Sequence, residues 1–196
     1  MYFDDARREV NVKIVYWGAG LSGRCTNLRY IHGKTRPQSR SKIVTLATMW
    51  ERAMFFNFTP QTLPTVAGFR VRVHLFAPTG SSTFERTQKL ILRGVDGVVF
   101  VVDSQSHRYD ANLTSRSSLE TQLARMGLKL ETVAFAVQYN KQDIRDVFRP
   151  KQLEPSLNPR ARPSFSAVAT RGVGVFETLR AVVKPISERL VDKYGT

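Results

Sequence analysis

The stretch YWGAGLSGRCTN, residues 16–27, decides how the rest of the chain is read. A phosphate-binding loop follows the pattern G-x-x-x-x-G-K-[ST]. Gly18 and Gly23 stand at that separation, but the next two positions, where Lys and Ser/Thr belong, are Arg24 and Cys25. The context favours a loop of this kind. VNVKIVYW (Val10–Trp17) reads as a strand and RCTNLRYIH as a short helix, and loop N–H groups at a helix N-terminus form a cradle for anions. The plain alternative is a strand-to-helix loop that uses its glycines only to turn.

Outward from the loop, strand-like runs alternate with helical patterns. KIVTLAT (Lys42–Thr48) and AMFFNF (Ala53–Phe58), the latter stopped by Pro60, are strand candidates. GFRVRVHLF alternates, with Phe69, Val71, Val73 and Leu75 on one face and Arg70, Arg72, His74 and Phe76 on the other, as a half-buried strand does. GVVFVVD (Gly97–Asp103) and TVAFAVQYN (Thr132–Asn140) are continuously apolar, the pattern of parallel strands buried on both faces. Between them, Leu113, Leu119, Leu123 and Met126 predict a helix over Asn112–Met126 with Gly127 as its C-cap. A last helix opens after Gly172-Val173-Gly174, with Phe176, Leu179, Val182, Val183, Ile186 and Leu190 on its apolar face and a kink expected at Pro185. RPKQLEPSLNPRARP (Arg149–Pro163) reads as an irregular, basic surface connection. The alternation predicts one three-layer α/β/α domain over residues 1–196 with a mostly parallel sheet.

Composition agrees with a folded domain: 196 residues, 42% hydrophobic. The single cysteine excludes an internal disulfide framework and fits a reducing compartment. No apolar run is long enough to cross a bilayer, MYFDDARREV does not read as a signal peptide, residue 2 is Tyr, and DKYGT has no prenylation cysteine. The expectation is therefore a cytoplasmic protein without a lipid anchor. Thirty Lys and Arg oppose 16 Asp and Glu, for a net charge of +14, which favours acidic surfaces as partners. The charge concentrates in two places. RYIHGKTRPQSRSK holds Arg29, Lys34, Arg36, Arg40 and Lys42 without an acid, and Arg149–Arg162 is the second. A solvated face is the ordinary reading of such a run. Tyr30 is the only aromatic in the first run that would stack a base, so nucleic acid is a weaker reading than an acidic protein. Anionic lipid stays open.

Asn140-Lys141-Gln142-Asp143 directly follows the apolar strand ending at Asn140. An Asp there can accept two N–H groups of guanine, which adenine cannot match, while the Asn and the Lys stem hold base and loop. With this motif the chain resembles the Ras-like small GTPases and, within them, the bacterial mutual gliding-motility (MglA) subgroup. The segments that carry the resemblance are KIVYWGAGLSGRCTNLRYI, FFNF, GFRVRVHLF, KLILRGVDGVVFVVDSQ, VQYNKQD, AVAT and GVGVFETL. The resemblance implies a six-stranded sheet, switch loops controlled by GTP or GDP with Mg²⁺, a roadblock-type regulatory partner docking near those loops, where the first basic run is also expected to lie and to favour an acidic protein partner, and a role in cell polarity or gliding motility with recruitment to a cell pole. It also assigns nucleotide contacts to Gly18, Gly23, Arg24, Cys25, Thr26, Gly80, Asn140, Lys141, Asp143 and Ala169.

The resemblance equally locates departures. Arg24 stands for the phosphate-binding Lys, and the longer, planar guanidinium is no conservative exchange in a snug site. Cys25 and Ala53 stand for the two hydroxyl residues that hold Mg²⁺, a hard ion that prefers oxygen. Arg52 matches the built-in arginine finger, Gly80 the glycine that senses the γ-phosphate, and Ser81 replaces the Gln that orients attacking water. Ala77 stands at the general family's switch II Asp, a place where the gliding subgroup is already atypical. Each lost charge-assisted contact is worth roughly 1.5–3 kcal/mol. Loss of the Lys contact and one magnesium hydroxyl then weakens binding by about 10²–10⁴-fold. Hydrolysis suffers more, because metal, water-orienting group and phosphate clamp act as a unit. The expectation is an empty or very weakly loaded, very slow or inactive family member, a pseudo-GTPase or nucleotide-impaired regulator or scaffold. A slow switch completed by a partner is the alternative, and a basic module for membrane or nucleic acid is a third reading. A thiol at a helix N-terminus, as at Cys25, can also carry a lowered pKa, but a drifted threonine is the favoured reading of this position over a redox sensor.

Overall fold

The computed structural model describes residues 1–47, 52–78 and 85–195, with backbone alone at 47, 52 and 85–88. The elements run β1 (Tyr2–Asp4), β2 (Glu9–Trp17), α1 (Arg24–Lys34), β3 (Val44–Ala47), β4 (Arg52–Phe58), β5 (Arg70–Pro78), α2 (Glu85–Leu92), β6 (Gly97–Asp103), α3 (Tyr109–Arg125), β7 (Ala134–Asn140), α4 (Pro150–Leu157), β8 (Ser164–Ser166) and α5 (Val175–Tyr194). β2 is buried along nearly its whole length and lies in the middle of one sheet of order β3-β4-β5-β2-β6-β7-β8, with β1 antiparallel to its first residues. β5, β2, β6, β7 and β8 run parallel, and β3 and β4 antiparallel to their neighbours.

Both faces of the sheet are covered, which explains the continuous apolar runs of β6 and β7. On one face α1 and α5 set Leu28, Ile31, Leu179, Val182 and Ile186 against Ile14, Tyr16, Leu75, Val99 and Val101. On the other, Leu92 of α2, Leu119 and Leu123 of α3 and Leu153 and Leu157 of α4 meet Val15, Trp17, Phe100, Val102 and Val137. Gly97 lets α5 approach closely, since an added Cβ would lie 2.3 Å from Val182 Cγ1 and 3.1 Å from Ile186 Cδ1. Gly97→Ala is expected to destabilise the fold by about 1–3 kcal/mol through overpacking, read as a fall in the urea midpoint at unchanged m-value.

Several expectations shift. The sheet has eight strands where six are implied; the two that the sequence pattern did not place, β1 and β8, are three residues long each. β7 begins at Ala134, because Leu130–Thr132 close a 3₁₀ turn. α3 starts three residues earlier than its leucine spacing predicts, and its buried face is Asn112, Ser115, Arg116, Leu119, Gln122 and Leu123, leaving Leu113 and Met126 half-buried. Polar side chains serve that face: Arg116 donates to the Leu157 carbonyl at 2.9 Å and lies over the rings of Phe100 and Phe135.

The Pro-rich segment is no plain irregular connection, since it contains α4. Pro150 occupies the first turn, where its missing N–H costs nothing. Gln152 Oε1 accepts from the Arg149 N–H at 2.8 Å, and Leu153 and Leu157 are buried one turn apart. α5 continues through Pro185 to Tyr194.

Candidate functional site

The C-terminal ends of β2, β6 and β7 converge on the 18–23 loop, and both motif glycines are there because chain passes chain. A Cβ on Gly18 would lie 2.1 Å from the Val101 carbonyl oxygen. Gly23 has φ +106°, and a Cβ there would lie 2.1 Å from Asn140 Nδ2. The Asn140 amide, 3% exposed, joins the loops of the site: Nδ2 donates to the Ser22 carbonyl at 2.8 Å, and Oδ1 accepts from the Ala169 N–H at 2.9 Å. So Gly18, Gly23, Asn140 and Ala169, far apart in sequence, meet at one place.

A second amide pair lies behind the first. Asn27 Nδ2 donates to Gln138 Oε1 at 2.7 Å and to the Gly23 carbonyl at 3.0 Å, and Gln138 Nε2 donates back to Asn27 Oδ1 at 3.0 Å. Gln138 Nε2 also reaches Thr178 Oγ1 of α5 at 3.3 Å. The pair is buried and tied into both helices, so the phosphate loop, β7 and α5 are held in one frame. Sequence reasoning missed both residues. The available signal was a glutamine inside an otherwise continuous apolar strand, since a buried polar group must find a partner.

Lys141 takes φ +67°, and its Nζ donates to Asp103 Oδ2 at 2.7 Å and Gln105 Oε1 at 3.0 Å. Asp103, 1% exposed, also faces Arg108 Nε at 3.7 Å. The same Arg108 donates from its terminal nitrogen to the Gly20 carbonyl at 2.7 Å. Arg108 and Lys141 thus share one buried carboxylate, and Arg108 fastens the loop. Arg108→Met is expected to free Gly20 and weaken nucleotide binding by about 1–2 kcal/mol, or roughly five- to thirtyfold, with a similar loss for GDP and GTP in a fluorescence titration. Asp143 is exposed, and among the described residues its carboxylate has no partner, which leaves it available to a ligand.

Arg24 opens α1 and is 4% exposed; burial pushes its guanidinium down to about 10, still charged at neutral pH. Cys25 does not carry the lowered pKa that its place at a helix N-terminus allows. Burial raises its pKa, outweighing the pull of Arg24 and Arg29, and its side chain packs against the apolar cluster of α1 and α5. A thiol raised this way holds less thiolate at pH 7–8 than a free one. Iodoacetamide should accordingly label Cys25 more slowly than a cysteine peptide in the native protein, and at the peptide's rate in urea. Thr26 is half-buried in the first turn of α1. Ala53 and Ala77 are buried in β4 and β5. Arg52 heads β4, its side chain lying outside the described residues, as do Gly80 and Ser81 altogether.

The donor set separates two ligands. The glycine-walled loop, with its helix N-terminus and buried cation, fits a phosphate group. The positions that the resemblance assigns to the metal hydroxyls carry a thiol and a methyl group, and no group of three His, Cys, Asp or Glu gathers among the described residues. The described residues therefore do not fit Mg²⁺.

The end of the basic run lies away from the phosphate loop and from Arg52. α1 carries the chain roughly 15 Å from Gly23 at 1.5 Å per residue, and Lys34 and Arg36 then line a groove of about 380 Å³ with Phe58, Pro60, Phe176 and Arg180. Phe58 is the end of β4 remote from Arg52.

A glycine-walled loop between a central strand and a helix, fastened to an Asn-Lys-x-Asp turn, defines a P-loop domain laid out for guanine nucleotide. No protein-family model matches the chain. It is similar to the mutual gliding-motility protein MglA of Myxococcus xanthus (strain DK1622), 42% identical over 189 residues that span 96% of this chain and 97% of the relative. The chain belongs to the MglA family of Ras-like small GTPases.

Proposed function

We propose that this chain is a nucleotide-impaired member of its family, acting as a regulator or scaffold in bacterial gliding motility and cell polarity rather than as a self-sufficient GTP-hydrolysing switch. One observation carries the reading: the base-recognition side is fully built, while the metal side has lost its oxygen ligands. Asn140 bridges Ser22 and Ala169, and Asp143 stands exposed. Cys25 and Ala53 occupy the metal positions. Guanine recognition is thus kept, while the phosphate tail loses the oxygen ligands of its metal.

In this reading the protein works through a docked regulatory protein, of the roadblock type implied by its kinship. The sheet edge supports this: β3 ends the strand order, and its Val44 and Leu46 are 40% and 47% exposed, an unpaired strand edge with apolar side chains. β3 leads into the segment that matches switch I. The net charge of +14 favours an acidic partner surface. No helix among the described residues is long and apolar enough to cross a membrane.

Calorimetric titration with GDP, GTP, ADP and ATP tests the reading. The expected result is guanine binding in the micromolar range, with GDP and GTP within about threefold of each other and adenine nucleotides undetected. Nanomolar GTP affinity, or stoichiometric nucleotide carried through purification, would contradict it.

A further inference from the structure

We infer that guanine nucleotide binds this chain without a divalent cation, the buried cation of Arg24 neutralising the phosphates where an ordinary member of the family uses lysine and Mg²⁺ together. The inference rests on the reading that base recognition persists. It goes beyond that reading by assigning what holds the phosphates.

Three observations converge. The first is the chemistry of the metal positions. Cys25 offers a soft, neutral thiol turned into the apolar packing of α1 and α5, and Ala53 offers a methyl group 7% exposed. Neither replaces the oxygen ligands a hard cation needs. The second is the fate of the nearest buried carboxylate. Asp103 is 1% exposed and already committed to Lys141 at 2.7 Å and Arg108 at 3.7 Å. Recruiting it to a metal would strand two cations. The third is the charge placed at the loop itself. Arg24 is 4% exposed at the head of α1, and Arg108 donates to the Gly20 carbonyl from the α3 side. Arg24 at the head of α1 and the Arg108 guanidinium on Gly20 therefore stand at the two ends of the loop before any ion arrives. In a partly dry site such fixed charges act on a phosphate far more strongly than in water. A divalent cation added to the same space meets them as like charge and finds no oxygen among the described side chains at its usual positions.

The test is the dissociation constant of a fluorescent GDP analogue, measured once in excess Mg²⁺ and once in excess EDTA. The expected result is the same value within about threefold, together with loss of binding in both buffers for Arg24→Ala and retention of at least part of it for Arg24→Lys. Thermal melts of both variants, matched to the parent, show that the fold is intact. Binding that tightens more than about tenfold in Mg²⁺ overturns the inference and leaves guanine recognition standing. Absence of binding in both buffers overturns guanine recognition itself and the inference with it. Full affinity in a folded Arg24→Ala variant removes the role given to Arg24.

Discussion

Asn140→Ala is expected to lose about 2–6 kcal/mol of folding stability. The change leaves the Ala169 N–H and the Ser22 carbonyl without their partner inside the protein, and each orphaned buried group costs about 1–3 kcal/mol. Both bonds are short, 2.8 and 2.9 Å, and the side chain is 3% exposed, so water offers little repair. At about 2–4 °C per kcal/mol for a domain of this size, the melting temperature falls by roughly 4–24 °C. The same variant should lose nucleotide binding, because the loop and the base-side turn are no longer tied. A melting temperature within about 1 °C of the parent would mean that the amide is not the tie described. Gly23→Ala attacks the same junction from the other side, placing a Cβ 2.1 Å from Asn140 Nδ2 at φ +106°.

Asp143→Ala is expected to do the opposite: leave stability unchanged and remove the ligand. Its carboxylate is exposed and has no partner among the described residues, so nothing in the fold depends on it. Two charge-assisted hydrogen bonds to guanine are worth about 3–6 kcal/mol together, and their loss weakens GDP by roughly 10²–10⁴-fold. Measured side by side, the two variants separate building the site from using it. Should Asp143→Ala bind GDP as tightly as the parent, guanine is not read by this turn.

Much of this was legible because the sequence states it locally. The apolar runs of β6 and β7, the alternation of β5 and the spaced glycines are properties of neighbouring residues. Periodicity and loop motifs register such properties. The kinship then linked Gly23, Asn140 and Ala169. What stayed hidden depends on partners distant in sequence. Asn27 and Gln138 are 111 residues apart and Arg108 and Gly20 are 88 apart, and neither side chain declares its partner. The helix α4 was masked by prolines at 150, 155, 159 and 163; two buried leucines and a short cap outweigh the helix-breaking tendency of Pro155. The state of the Cys25 thiol is likewise set by packing. Helix position favours thiolate, but the desolvation of Cys25 is set by packing that only the fold reveals. The basic run was misplaced because eleven residues of α1 carry it down the side of the domain.

The substitutions at Arg24, Cys25 and Ala53 sit within an intact frame. The frame is held by Asn140, by the Asn27–Gln138 pair and by the Arg108–Asp103–Lys141 cluster, none of which needs a metal or a γ-phosphate.

The most direct test is phosphate release from saturating GTP in excess Mg²⁺, followed over many turnovers by the purified protein. The account predicts release indistinguishable from the no-enzyme control, and no difference between the parent and Arg52→Ala. Sustained, Mg²⁺-dependent turnover that Arg52→Ala abolishes would show a working arginine finger and metal site, and would contradict it.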